Sequence, residues 1–226
     1  MKSLCLHAAF GKRAFLAGLL ALSLSACGEK KNPVRIVVEP PSVRIVKVKA
    51  TTTAAKKQVT DHEIARTDWM YSIQPELDIA IKDERKQQDG YHVWITLTGV
   101  KLKLALPIKT YVSEKAPNDV LNHEKGHVEI CKRIYENSRE YATKAANSAI
   151  GKTFEGFGTD RKLALSNALQ IAAQEVTSPY RKDTSALADQ VSSNYDLLCE
   201  KEDRTSTVEK TVAEAFASSS ESSSER

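Results

Sequence analysis

Long apolar runs are missing from this 226-residue sequence: residues 14–24 form an apolar stretch of about eleven, roughly half of what a bilayer-spanning helix needs. Glycine and proline are sparse, at 9 and 7 residues, and with 41% hydrophobic and 27% charged residues the composition excludes collagen, a coiled coil and a multi-span membrane protein. Also missing is any basic stripe interleaved with aromatics, which make up 6% of the chain, so no nucleic-acid partner is expected. Enough chain remains for one domain with a real core once its ends are set aside.

Residues 1–26 have the features of an export signal, with Lys2, Lys12 and Arg13 as a basic n-region, the short apolar stretch after them, and small residues before Cys27. The run Leu24-Ser25-Ala26-Cys27 resembles the lipobox of bacterial lipoproteins, in which the cysteine is diacylated and becomes the first residue of the mature chain. The resemblance implies lipidation of Cys27 and a stable two-chain membrane anchor. Gly28, standing where an aspartate would retain the protein at the inner membrane, implies the periplasmic face of the outer membrane. Loss of the signal leaves 30 basic residues against 29 acidic ones, so the mature charge is +1. Of the four cysteines, Cys5 departs and Cys27 is acylated, which leaves Cys131 and Cys199 in an oxidising compartment. A disulfide between them is expected; two separate buried thiols are the alternative.

Residues 27–58 are rich in Lys, Pro and Thr and read as a lipidated tether, ending in at most one edge strand, with Val34-Arg35-Ile36-Val37 echoed at Val43-Arg44-Ile45-Val46. The folded domain is placed at 59–200. Its first part carries strand signals, including the alternation Val100-Lys101-Leu102-Lys103-Leu104, a turn at Asp89-Gly90 and a bulge or second turn at Gly99. After Pro117 the period becomes helical. Asn118 or Asp119 is placed to cap a helix running to about Ala149 and closed by Gly151, and helical patterns follow at 161–176 and 184–200. The expected fold class is therefore α+β, an antiparallel sheet followed by a helical half. Residues 201–226, with Ser218-Ser219-Ser220-Glu221-Ser222-Ser223-Ser224, read as a disordered tail.

His123-Glu124-Lys125-Gly126-His127 is an H-E-x-x-H motif lying inside a predicted helix. Four residues separate the histidines, so their imidazoles stand on one face and reach a common metal ion, while Glu124 is placed to take a proton from a metal-activated water and pass it to a leaving amine. Two nitrogens with one carboxylate suit Zn2+ better than calcium or magnesium. His62 and His92 sit in strand-like stretches and read as surface or packing residues. Proteases with the longer H-E-x-x-H-x-x-G-x-x-H pattern are excluded, because Ile130 and Arg133 stand where that pattern has glycine and a third histidine.

These residues resemble a family of bacterial secreted proteins described as predicted zinc-dependent proteases. The resemblance runs from Ala65-Arg66-Thr67-Asp68-Trp69, through residues 100–106 and Pro107, to Leu121-Asn122-His123-Glu124-Lys125-Gly126-His127-Val128-Glu129-Ile130. It implies a zinc metallopeptidase acting on protein or peptide. Asp196 is the favoured third ligand, since a Cys131–Cys199 bridge would bring Tyr195-Asp196 near His127; the Tyr195 hydroxyl would then stabilise an oxyanion. The resembled family also carries a Tyr-Asp pair after its motif, but with Thr and His-Gly following, where Leu197-Leu198-Cys199-Glu200 stands here. Asp160 and Glu155 are the other candidates, their competing roles being helix capping and loop solvation. Glu129 and Glu136 point away from the metal face of a straight helix. A catalytically inactive zinc-binding lipoprotein, acting as a binding or assembly module, is the competing function.

Overall fold

The structure, a computed structural model, describes residues 32–49, 64–201 and 206–224; the export signal, Cys27, His62 and residues 50–63 lie outside them. The described residues fold as α+β, with seven strands in two sheets and a largely helical C-terminal half. One sheet has the order β1 (Val34–Val38), β5 (Tyr91–Ala105), β4 (Ser72–Lys86), with β7 (Thr153–Gly158) also paired to β5. The second has the order β2 (Ser42–Val48), β6 (Pro107–Ser113), β3 (Ala65–Trp69). Both are mixed, not purely antiparallel, because β1 runs parallel to β5 and β2 parallel to β6.

The chain passes between the sheets three times, at Glu39–Pro41, at Met70–Tyr71 and at Leu106, so β1–β2, β3–β4 and β5–β6 each behave as one long bent strand. Over residues 32–49 this replaces the expected tether, with at most one edge strand, by two strands; the rest of 27–58 lies outside the described residues. The echoed Val-Arg-Ile-Val segments are two strands that pair with the two halves of β5–β6, Val34 opposite Val100 and Ser42 opposite Pro107. Proline at 40 and 41 falls where the bend needs no ladder donor.

Alternation in β5 changes parity. Val93, Ile95 and Leu97 face the core, then Val100, Leu102 and Leu104, all with at most 1% exposure. A bulge makes the change, with Asp78 opposite Gly99 and Ile79 opposite Leu97, so that Thr98 is the extra residue. At this point β5 exchanges β7 for β1 as its neighbour. The expected turn at Asp89-Gly90 is present, and Gly90 takes a φ of 148°, where a side chain would also strike the Gly158 carbonyl and the Phe157 ring.

Helix α1 (Asn118–Glu136) lies over β3 and β6, α2 (Ser138–Ala149) over β1 and β5, and α3 (Arg161–Arg181) over β7 and β5. The expected helix to Ala149 is thus broken at Asn137, and Pro117, not Asn118 or Asp119, holds the N-cap position of α1. A π-turn, Lys182–Ala186, joins α3 to α4 (Leu187–Lys201) just after Pro179, which lacks the donor a regular helix requires there. Residues 208–224, expected to be a disordered tail, form helix α5 (Val208–Ser224) against α1 and α4. Its buried residues Thr211, Val212, Ala215 and Ser219 recur at helical spacing, a pattern that the serine content hides.

Candidate metal centre

Helix α1 buries a broad face, holding Glu124, Gly126, His127, Ile130, Cys131 and Ile134, against β3 and β6 and against α4. The His123 and His127 side chains leave that face one turn apart, and their Nε2 atoms lie 3.2 Å from each other. Asp196 of α4 closes the group: its Oδ1 is 3.1 Å from His123 Nε2 and 3.0 Å from His127 Nε2. A tetrahedral ion with bonds of about 2.0–2.1 Å requires ligand atoms about 3.3 Å apart. The observed triangle matches one face of such a tetrahedron and leaves a fourth corner for a non-protein ligand. His123, His127 and Asp196 therefore form a triad able to hold a metal ion.

Glu124 is 6% exposed and stands outside the triad. Thr67 Oγ1 donates to its Oε2 at 2.5 Å, which leaves Thr110 Oγ1, 3.1 Å from Thr67 Oγ1, as the donor to Thr67. Two residues along β3, the Trp69 ring stacks on His127 at a centroid distance of 6.1 Å and 21° between planes. Alternation explains the pair: residues 67 and 69 share one face of a strand. The segment that carried the family resemblance thus packs on both the acid and a histidine of the motif. Thr67, Trp69 and Thr110 carry no local sequence signal that marks them as site residues, since Thr67 and Trp69 meet the motif 57 and 58 residues further on.

Asp196 arrives without the expected disulfide. Cys131 and Cys199 are separate thiols. Helix α4 runs opposite to α1: Asp189 is near Cys131, Asp196 meets both histidines, and Tyr195 reaches the His123 carbonyl with Cys199 one turn beyond. Cys199 therefore falls at the His123 end of α1, about 12 Å along the helix axis from Cys131, whereas a bridge needs Cα atoms within about 7 Å. Cys131 sits in the core, and burial pushes its thiol up to about 12.

Tyr195 is also placed differently from expectation. It is 1% exposed, and its hydroxyl donates to the His123 carbonyl at 3.4 Å and neighbours Cys199, not the cleft. Its ring supports the histidines instead, stacked on His123 at 5.2 Å and edge-on to His127 at 5.3 Å. Gly126 makes room for it, because a Cβ there would overlap the ring.

The other acidic residues are engaged elsewhere, Asp160 in the capping role expected as its alternative and Glu155 in a strand pairing, not in loop solvation. Asp160 caps α3 by accepting from Leu163 N at 2.9 Å, Glu155 lies 2.7 Å from His92 Nδ1, Glu129 pairs with Arg133 at 2.9 Å, and Glu136 is exposed. None of the four joins the triad.

The triad opens on a cleft of about 390 Å3 whose walls include Thr67, Trp69, Glu124, Asp189, Ser192 and Asp196. Compared with protein-family models, curated proteins and solved structures, the chain finds no match.

In the metal-free protein the hydrogen bond to Asp196 raises the His123 pKa, against the opposing effect of burial. Burial works to raise Asp196, but hydrogen bonds from His123 and His127 outweigh it and hold the carboxyl well below its usual range. The signs follow by linkage. His123 contributes stability fully below about pH 6.5, lost as pH rises through its higher folded value; Asp196 contributes above about pH 3.9, lost as pH falls through its lower one. The Tm difference between metal-free wild type and Asp196→Asn should peak between these limits and shrink above pH 7. A difference independent of pH would rule out the pairing.

Proposed function

We propose that this protein is a zinc-dependent endopeptidase of the bacterial cell envelope, lipid-anchored through Cys27, with His123, His127 and Asp196 holding the metal and Glu124 as general base. The observation that carries the reading is the near-equilateral triangle of two imidazole nitrogens and one carboxylate oxygen with a second, buried carboxylate beside it. That donor set suits zinc. When bound, the ion supplies Lewis acidity, which makes a water easier to deprotonate and a carbonyl easier to attack.

The chain's own groups account for the rest. Glu124 faces the cleft and accepts the proton of the attacking water, then returns it to the leaving amine. Thr67, itself held by Thr110, fixes which way that carboxylate points. Trp69 covers one side of His127 and Tyr195 closes on its edge. A polypeptide substrate is favoured by β3, the outer strand of its sheet among the described residues. Met70 N bonds Pro107 O and Ser113 N bonds Ile64 O, so by alternation the main-chain groups of Ala65, Thr67 and Trp69 face the open edge, where an extended peptide would find partners beside the triad.

A second reading, the inactive zinc-binding module, is favoured by Leu197-Leu198-Cys199-Glu200 in place of the downstream His-Gly of the resembled family. Zinc titration of the chelator-stripped protein, run beside digestion of a denatured protein, separates these readings. One zinc per chain and cleavage lost on chelation are expected. Zinc uptake with no cleavage supports the module, and no uptake ends both.

A further inference from the structure

The cleft extends past the triad along α4, and its charges do not balance. With a divalent ion bound, Asp196 and Glu124 neutralise it, while Arg66 on the opposite wall is taken up by Asp68, Nε to Oδ1 at 2.9 Å. Asp189 is left. Its side chain lines the cleft, is exposed, and has no hydrogen-bonded or ion-pair partner among the described residues. Beside it on the same wall Ser192 is 4% exposed with a hydroxyl that no protein group satisfies. The neighbouring Ser193 hydroxyl is already used, donating to the Asp189 carbonyl at 2.9 Å.

Position along the helix sets what this wall can recognise. Asp189 and Asp196 are seven residues apart in α4, nearly two full turns, so they share a face and lie about 10 Å apart along the axis. The Cα of a flanking lysine lies about 1.5 Å from the scissile carbon, its extended side chain carries the ammonium about 6 Å further, and a charge-assisted hydrogen bond adds about 2.8 Å, about 10 Å in all. A lysine or arginine side chain flanking the bond at the triad therefore reaches Asp189. A free α-amine on the residue that supplies the scissile carbonyl cannot, since only two bonds separate it from that carbon.

We propose that Asp189, with Ser192 beside it, forms a subsite for a basic side chain next to the scissile bond, which makes the substrate class an internal Lys- or Arg-containing stretch of polypeptide. The inference rests on the peptidase reading of the triad, and binding tests it separately from turnover. Zinc-loaded Glu124→Gln full-length protein is titrated calorimetrically with three blocked pentapeptides that differ only in a central lysine, norleucine or glutamate. The lysine peptide should bind about tenfold more tightly than the norleucine peptide. Asp189→Asn should remove that difference while leaving norleucine binding as it was, and Asp189→Lys should shift the preference to glutamate. Asp189 is exposed, so neither substitution disturbs the core. Equal affinities, or no binding of any of the three, overturn the subsite. Digestion of the same peptides by the zinc-loaded wild type reports on the other reading: a lysine preference in binding without hydrolysis sinks the peptidase and keeps the subsite, and hydrolysis without preference does the reverse.

Discussion

Glu124→Gln should lower peptide hydrolysis by a factor of about 10² to 10⁴, the range for removing a general base, with zinc affinity unchanged within about twofold. Glutamine keeps the shape of the side chain and can still accept the Thr67 hydroxyl, but its amide cannot take a proton near neutral pH. The metal ligands are untouched, since Glu124 is not part of the triad. Residual zinc binding therefore separates loss of chemistry from loss of the site. Thr67→Val, measured alongside, should show a smaller defect of about tenfold, the lower end for losing a second-layer hydrogen bond. Valine matches threonine in shape, which keeps β3 in place. Full activity in Glu124→Gln would remove this residue from the mechanism.

Gly126→Ala should destabilise the protein and weaken zinc binding together. Two effects compete. Alanine improves intrinsic helix propensity by about 1 kcal/mol over glycine, whereas forcing an extra carbon into a filled core costs about 1–3 kcal/mol. Overpacking wins here, because the atoms met are the ring and hydroxyl of Tyr195, which is 1% exposed and stacked on His123. Such a ring has nowhere to retreat except by moving α4, and Asp196 is the next residue on that helix. Calorimetry should show a lower Tm for the metal-free variant, and chelator competition a zinc affinity reduced by tenfold or more. Lys125→Ala, on the exposed side of the same turn, should change neither. An unchanged Tm in Gly126→Ala would mean that α1 and α4 are not in contact there.

Much of this site was legible in the amino-acid order. The histidine spacing marks a helix face whatever the fold, and the apolar parity change from Leu97 to Val100 marks the bulge that the structure puts there. Asp196 joins the histidines without the Cys131–Cys199 bridge, which would need the two helices to run the same way; chain direction is a tertiary fact with no local signature. The same limit hid Thr67 and Trp69, whose partners are 57 and 58 residues away. Composition misled at both ends. Lysine and proline suggested a tether where Val34, Ile36 and Val38 pair with β5, and a run of serines suggested disorder where Val212 and Ala215 are fully buried. In each case the spacing of a few apolar residues carried more information than the bulk of their neighbours.

The third member of the metal grip is encoded sixty-nine residues after the second. A chain emerging from the ribosome carries both imidazoles long before the aspartate that completes their hold, and α4 must still fold back against α1 once it has been made. Two nitrogens alone retain an ion poorly. Metal capture by the full triad is thereby deferred until synthesis and docking are finished, and in the proposed peptidase so is cleavage.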